Sequence, residues 1–277
     1  MKQSICAGLI LTLATVLCAG GCQMTKDMNN AKALFSEPQM LEAAEAVDRG
    51  DNAKLQAMKH AGFDINQQGA KDGSTLLIWA ILCRNQSAVK LLLDNGADPN
   101  RVPKESFTAM GWAASLEDPT FLKILLASGG NPNLYSYQKI PPIFDAKSSD
   151  RWKNVWFLLD HGADINALDL RTGETLAVDS MGGGEEHVYE LLMRGANYTH
   201  IGYGGNSLAW SIAHDYVNPT LPAAQHRQKI KDFLIAHHVD LSVPQCGPPP
   251  PEKWPQDQKN DPKLMDSYKR CKAAGTS

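Results

Sequence analysis

Apolar runs, each ending in nearly the same short polar phrase, set the rhythm of this chain. LLLDNGADPN at residues 91–100 has counterparts in ILLASGGNPN closing at Asn133, FLLDHGADIN at Asn166 and ELLMRGANYT at Thr199. LQAMKHAGFDIN had already closed at Asn66. Paired apolar residues precede each turn: Leu91 and Leu92, Ile124 and Leu125, Phe157 and Leu158, Leu191 and Leu192. The glycine of the phrase falls at Gly62, Gly96, Gly129, Gly162 and Gly195, at intervals of 34, 33, 33 and 33 residues. A sixth phrase, FLIAHHVDLS, puts His238 in that place after 43 residues. A fixed period of this length marks a stacked-repeat architecture. Glycine after an apolar helical run can take the left-handed conformation that ends a helix. The pattern therefore predicts a unit of helix, short loop, second helix and turn. One unit is too small to bury its own apolar face, so stacking must supply the core. The paired residues would form a continuous spine, each buried side chain contributing about 1.5–3 kcal/mol.

The periods also open alike. DGSTLLIWAI begins at Asp72, ESFTAMGWAA at Glu105 and RTGETLAVDS at Arg171. Openings and closings together resemble the D-G-x-T-P-L-H-x-A-A and L-L-L-x-x-G-A-D-x-N phrases of the ankyrin-repeat family, over residues 37–242. The resemblance implies an all-α solenoid of about six helix-turn-helix units with short β-turn fingers. There are departures. Ile78, Gly111 and Phe144 stand in the histidine place of T-P-L-H, the fifth unit is a residue short, and the sixth carries an insertion near VNPTLPAAQ. The first unit, from Glu37, lacks the opening turn and is polar on its outer side, as a terminal unit should be.

The resemblance also implies a binding face. In that family the residue between T-P-L-H and A-A lines a concave groove. The column here reads Glu45, Trp79, Trp112, Asp145, Asp179 and Ser211, with Val178 and Trp210 as alternates where the register shifts by one. Turn fingers add Lys104, Glu105 and Phe107, then Tyr135, Tyr137 and Lys139, then Arg171 and Tyr203. Trp, Tyr and Arg are over-represented among binding hot spots. The partner-binding set is thus Trp79, Trp112, Asp145, Asp179, Phe107, Tyr135, Tyr137, Arg171 and Tyr203. The competing reading of Trp79 and Trp112 is that they pack into the array beneath the loops. Trp156, on a second helix, is a further outer-face aromatic.

The ends of the chain differ from its middle. MKQSICAGLILTLATVLCAGGC has a positive Lys2, an apolar run from Ile5 to Cys18 and small residues before Cys22. That is the order of a secretory signal peptide, and the apolar run falls short of the roughly 20 residues of a membrane span. Small residues ending in cysteine resemble the lipobox of bacterial lipoproteins, although Ala19 sits where that family usually has leucine. The resemblance implies that residues 1–21 are removed and Cys22 is lipidated. Gln23 in place of aspartate resembles the outer-membrane sorting pattern. A plain cleaved signal peptide is the alternative. Residues 22–36 would be a tether, and the protein would be periplasmic and held by lipid, the outer membrane favoured. Beyond Cys22 three cysteines remain. In an oxidising compartment Cys246 and Cys271 are the expected couple, and Cys83 a half-buried thiol. Residues 243–277 are proline-rich and read as an extended tail. A short helix around Pro262 to Lys272 could be folded back by that bridge.

Charge and chemistry narrow the function. With 27 basic and 30 acidic residues, the net charge of −3 comes without the basic stripe that nucleic acid demands. His237 and His238 are adjacent and diverge by about 100° on a helix, which makes a poor metal pair. EEHVYE at 185–190 lacks the second histidine of a zinc-protease helix, and the glycines at 182–184 and 202–205 do not form a phosphate loop. No catalytic residue, metal ligand, cofactor or small-molecule substrate is expected. The expected activity is binding another protein. It would serve either as an immunity-type inhibitor of a secreted toxin, the acidic Asp145 and Asp179 suiting a basic patch, or as an envelope scaffold. An enzyme with its site grafted on the repeats is the rival of a different class.

Overall fold

The computed structural model describes residues 31–215, 218–242, 248 and 250–274. The signal peptide, Cys22 and Cys246 lie outside them. Helices dominate: α1 (Ala31–Leu34), α2 (Pro38–Asp48), α3 (Asn52–His60), α4 (Leu76–Leu82), α5 (Gln86–Asp94), α6 (Ala109–Ser115) and α7 (Thr120–Ala127). They continue as α8 (Pro142–Ser148), α9 (Trp152–Asp160), α10 (Leu176–Asp179), α11 (Glu185–Met193), α12 (Leu208–His214), α13 (Pro222–Ala236) and α14 (Pro262–Ala274). From α2 to α13 they form successive helix pairs, as the period predicts. Two short strands, β1 (Leu168–Asp169) and β2 (Glu174–Thr175), pair antiparallel with Leu168 opposite Thr175. None of the described helices is long and apolar enough to cross a membrane. The chain divides after Asp98 into two compact units.

In the first unit α2 packs on α3, α4 and α5, and α4 packs on α5. Side-chain caps start three of its helices: Asp51 accepts from Lys54 N, Thr75 from Ile78 N and Asn85 from Ala88 N. Each such cap is worth about 0.5–2 kcal/mol against alanine. Over residues 31–36 the structure differs from the expected tether. Ala31, Leu34 and Phe35 are buried, and Ala70 N–H donates to the Glu37 carboxylate at 2.7 Å. These three apolar residues hold the segment on the first unit.

In the second unit α6 packs on α7 and α8, α8 on α9, α10 on α11, and α13 on both α11 and α12. The closing phrase ends helices as its glycine predicts. Gly129 has φ 82° and Gly162 φ 92°. The next residue bonds back, Gly130 N–H to Leu125 O at 2.8 Å and Ala163 N–H to Leu158 O at 2.9 Å. Those bonds satisfy carbonyls the helix leaves open. His238 takes the same conformation with φ 58°, and Val239 N–H reaches Leu234 O at 2.9 Å. Of the paired spine residues, Leu92, Leu125, Leu158 and Leu191 are fully buried, whereas Leu91, Ile124 and Phe157 are only half-buried.

The asparagine that ends each phrase has a task that the sequence left unread. In the first unit Asn66 Nδ2 donates to Gly96 O at 3.1 Å while Asn66 Oδ1 accepts from Asp98 N–H at 2.7 Å. In the second unit Asn100 holds Gly129 O at 2.9 Å and Asn131 N–H at 2.7 Å. Asn133 holds Gly162 O at 2.8 Å and Asp164 N–H at 2.7 Å, and Asn166 accepts from Asn197 N–H at 2.7 Å. One side-chain amide thus clamps the turn of the following repeat, each bond netting about 0.5–1.5 kcal/mol. The ladder stops at Thr199, whose hydroxyl turns instead to Asn197 Oδ1 at 2.9 Å.

There the tail takes over. Gln258 Oε1 accepts from Ile201 N–H at 3.0 Å and its Nε2 donates to Ile201 O at 2.6 Å. Ile201, Trp254 and Leu264 are buried together, with Met265 and Tyr268 packed against them. The tail carries the short helix expected around Pro262 to Lys272, as α14, and is folded rather than extended ahead of it, from the 3-10 turn Pro251–Lys253. Cys271 on α14 is disulfide-bonded.

Candidate functional site

The fingers of the second unit are tied into one row by their own backbones. In the turn over 134–140, Ser136 N–H donates to Ile140 O at 3.0 Å and Lys139 N–H to Ser136 O at 2.9 Å. This raises Tyr137 at the tip, 60% exposed. The next finger carries β1 and β2. Its Leu170 N–H donates to Lys139 O at 3.0 Å, and its Leu168 N–H to the Tyr135 hydroxyl at 3.3 Å. Tyr135 is therefore a half-buried strut between fingers, and burial raises its pKa. The third finger follows with Tyr203 N–H on Thr172 O at 2.7 Å. Gly173, at φ 71°, lets the Tyr203 ring lie where a Cβ would come within 2.6 Å of it.

Arg171 stands on the second of these fingers and is held from below. Its Nε lies 2.9 Å from Asp169 Oδ1 and its Nη2 2.6 Å from Asp169 Oδ2. Burial works to raise the Asp169 carboxyl, but hydrogen bonds from Arg171 and Thr172 outweigh it and keep the pKa below the ordinary range. The hydrogen bond to Asp169 also holds the Arg171 guanidinium above its usual value. The Arg171 side chain stays 52% exposed, so it is oriented and accessible at once.

The inner-helix column divides between surface and interior. On α6, Trp112 is half-buried, edge-to-face with Phe107 at 4.9 Å, its Nε1 donating to Ser106 Oγ at 3.3 Å. Asp145 on α8 is only 5% exposed. It fills the space that glycine leaves at position 111, where an added Cβ would sit 2.4 Å from Asp145 Oδ2. That oxygen has no hydrogen-bond partner. Burial pushes the carboxyl well above the usual range, with Arg171 opposing. Asp179 is half-buried and ion-paired with Lys147 at 2.8 Å. In the last two helix pairs Val178 and Ser211 are buried, while Trp210 is half-buried and stacks on His214. In the first unit, Glu45 pairs with Arg49. Trp79 is 7% exposed there, with Nε1 unpartnered.

Several expectations change accordingly. Trp79 and Asp145 are interior groups, because each sits in a helix whose neighbours close over it. Asp145 and Asp179 do not form an open acidic face for a basic partner: one is buried and the other already holds a lysine. Phe107, Trp112, Tyr135 and Tyr203 are half-buried, and Tyr137 and Arg171 remain as exposed tips. Sequence reasoning missed Lys263, whose ammonium lies 4.3 Å from the Tyr203 ring centroid. No local signal in the tail could have placed it there.

Reactive chemistry is sparse. Among the described residues no three His, Cys, Asp or Glu side chains gather as a metal site. Cys83 is a free, half-buried thiol whose pKa burial and then Asp48 raise to about 11. It is a thiol, not a thiolate, at neutral pH, and so a weak nucleophile.

A family model for ankyrin repeats matches residues 41–136 in three copies. Over those residues the chain is similar to ankyrin repeats. Among solved structures, it is similar to the crystal structure of the ankyrin repeat domain of Bcl-3, a unique member of the IkappaB protein family. That match has 20% identity and a TM-score of 0.59, over 81% of this chain and 97% of the other. At such identity the likeness concerns the fold, which is an all-α ankyrin solenoid. No curated protein matches the chain.

Proposed function

We propose that this ankyrin-repeat protein is a lipid-anchored interaction module of the bacterial periplasm that holds a partner protein against its finger row. Ankyrin repeats as a class serve protein–protein interaction, which supports the coarser half of this reading. The observation that carries the finger-row part is Tyr137, 60% exposed on a finger hydrogen-bonded to the next one. A large aromatic already fixed on a rigid scaffold loses little freedom on binding, which favours affinity. The anchor and the address rest on the N-terminal sequence. Anchoring would confine the module to a membrane face and raise its effective concentration toward partners there. The role would be that of an immunity-type inhibitor of a secreted toxin, or of an envelope scaffold.

The test is capture from envelope extract with mature, unlipidated protein as bait. Tyr137→Ala should reduce capture of the specific partner about ten-fold, the scale of a hot-spot residue, and leave thermal melting unchanged. Equal capture by both baits would remove the finger row from the function. For the anchor, Cys22→Ser should move the protein from the membrane pellet to the soluble fraction. A variant that stays in the pellet would contradict lipid attachment at that cysteine.

A further inference from the structure

Resting on the interaction reading above, we infer that the finger row is shaped for an acidic segment of the partner protein. Three cations line three successive fingers, each bonded to the next: Lys139 and Arg171 stand on the first two, and Lys263 reaches the third from α14. Lys139 is exposed on the first, and its carbonyl accepts from Leu170, the neighbour of Arg171 on the second. Thr172, on the other side of Arg171, accepts from Tyr203 on the third, and Lys263 lies over that ring at 4.3 Å. The preceding finger adds exposed Arg101 and Lys104.

The acids nearby offset only part of this charge, Asp169 balancing that of Arg171. Asp169 is buried beneath Arg171 and takes its Nε and Nη2, which leaves Nη1 without a partner among the described residues. Asp179 is held by Lys147. Asp145 and Glu174 are buried, which favours their neutral forms. Glu105 and Asp164 remain as exposed acids in this region, and Asp266 is exposed one turn after Lys263 on α14, paired with Arg270. Among the described residues Lys139 makes no ion pair. The fingertips are thus locally cationic on a chain of net charge −3, and complementary charge is what selects a partner at such a rim.

Apolar surface is interleaved with these cations. Tyr137 and Leu170 are the exposed large hydrophobic side chains of the two adjoining fingers. Isolated cations alternating with an aromatic and an aliphatic side chain suit a carboxylate-bearing peptide with an apolar residue. A phosphate backbone would call for a longer basic track.

The test is fluorescence anisotropy of mature protein with a labelled Glu-rich peptide carrying one leucine. A Lys-rich counterpart and a single-stranded oligothymidylate serve as comparison probes. The Glu-rich peptide should bind and the Lys-rich one should not. Lys139→Glu with Lys263→Glu should weaken binding about ten-fold, and raising salt from about 50 to 300 mM should act in the same direction. The milder Lys139→Gln with Lys263→Gln, checked by circular dichroism, keeps the test intact should charge reversal disturb folding. No binding of the Glu-rich peptide, binding indifferent to these substitutions, or equal affinity for oligothymidylate would overturn the inference. If partner capture falls with Tyr137→Ala but ignores the lysine substitutions, the finger surface stands and its charge preference fails.

Discussion

Trp79→Ala should unfold the first unit at markedly lower urea, by about 3–5 kcal/mol, the range for emptying a buried tryptophan site. The side chain is 7% exposed on α4, in the run Leu76–Ile81 of which every member is buried. Few neighbours can collapse into a void that size, because the helix is short and its ends are pinned by the Thr75 cap and the turn at Cys83. Trp79→Phe should recover most of the loss. It keeps an aromatic ring and removes an indole N–H that has no hydrogen-bond partner, so its cost should stay below about 1.5 kcal/mol. Urea titration followed by circular dichroism measures both. If Trp79→Ala melts like the wild type but loses its partner, the residue is a contact and not core.

Asp145 should make the fold progressively less stable as pH rises. Its folded-state pKa lies well above the unfolded value because of burial. The folded chain therefore binds its proton more tightly than the unfolded chain does. Stability is fully present below the unfolded pKa, near 3.9 for an ordinary aspartate. It declines above that, by at most about 1.4 kcal/mol per pH unit, until the folded pKa is passed. Arg171 opposes the effect without cancelling it. Asp145→Asn removes the titration while keeping the shape that fits against Gly111. The stability difference between variant and wild type should grow in favour of the variant from about pH 4 upward, until the folded-state pKa is passed. Parallel curves across that range would mean that the carboxyl is not held in its neutral form by burial.

Much of the architecture was legible because repetition is redundant. The glycine period, the apolar pairs and the recurring openings each gave the same helix-pair unit. The structure shows such pairs from α2 to α13. The asparagine ladder was also written in the sequence, in Asn66, Asn100, Asn133 and Asn166 at one offset and its loss at Thr199. Its meaning needed the geometry of the following turn, because a period alone says nothing about which atoms meet.

The site was less legible, for reasons specific to each residue. The column rule placed Trp79 and Trp112 alike, yet Trp79 lies in LLIWAIL and Trp112 in AMGWAAS. A helix apolar on all sides is a buried helix, and that local signal separates the two. Asp145 depended on Gly111, a position one repeat away whose missing side chain opens room for a carboxyl. The placement of Lys263 over Tyr203 depended on the folded tail, held by Trp254, Leu264 and the two bonds of Gln258. Contacts between segments so far apart in sequence leave no periodic trace.

Site-specific photo-crosslinking in living cells addresses the function most directly. A crosslinker at Tyr137, on the finger row, should join the protein to one discrete partner. The same group at Met193, which is 62% exposed on the second helix α11, should not. Adducts from Met193 with none from Tyr137 would show that the partner is held elsewhere and would contradict the account.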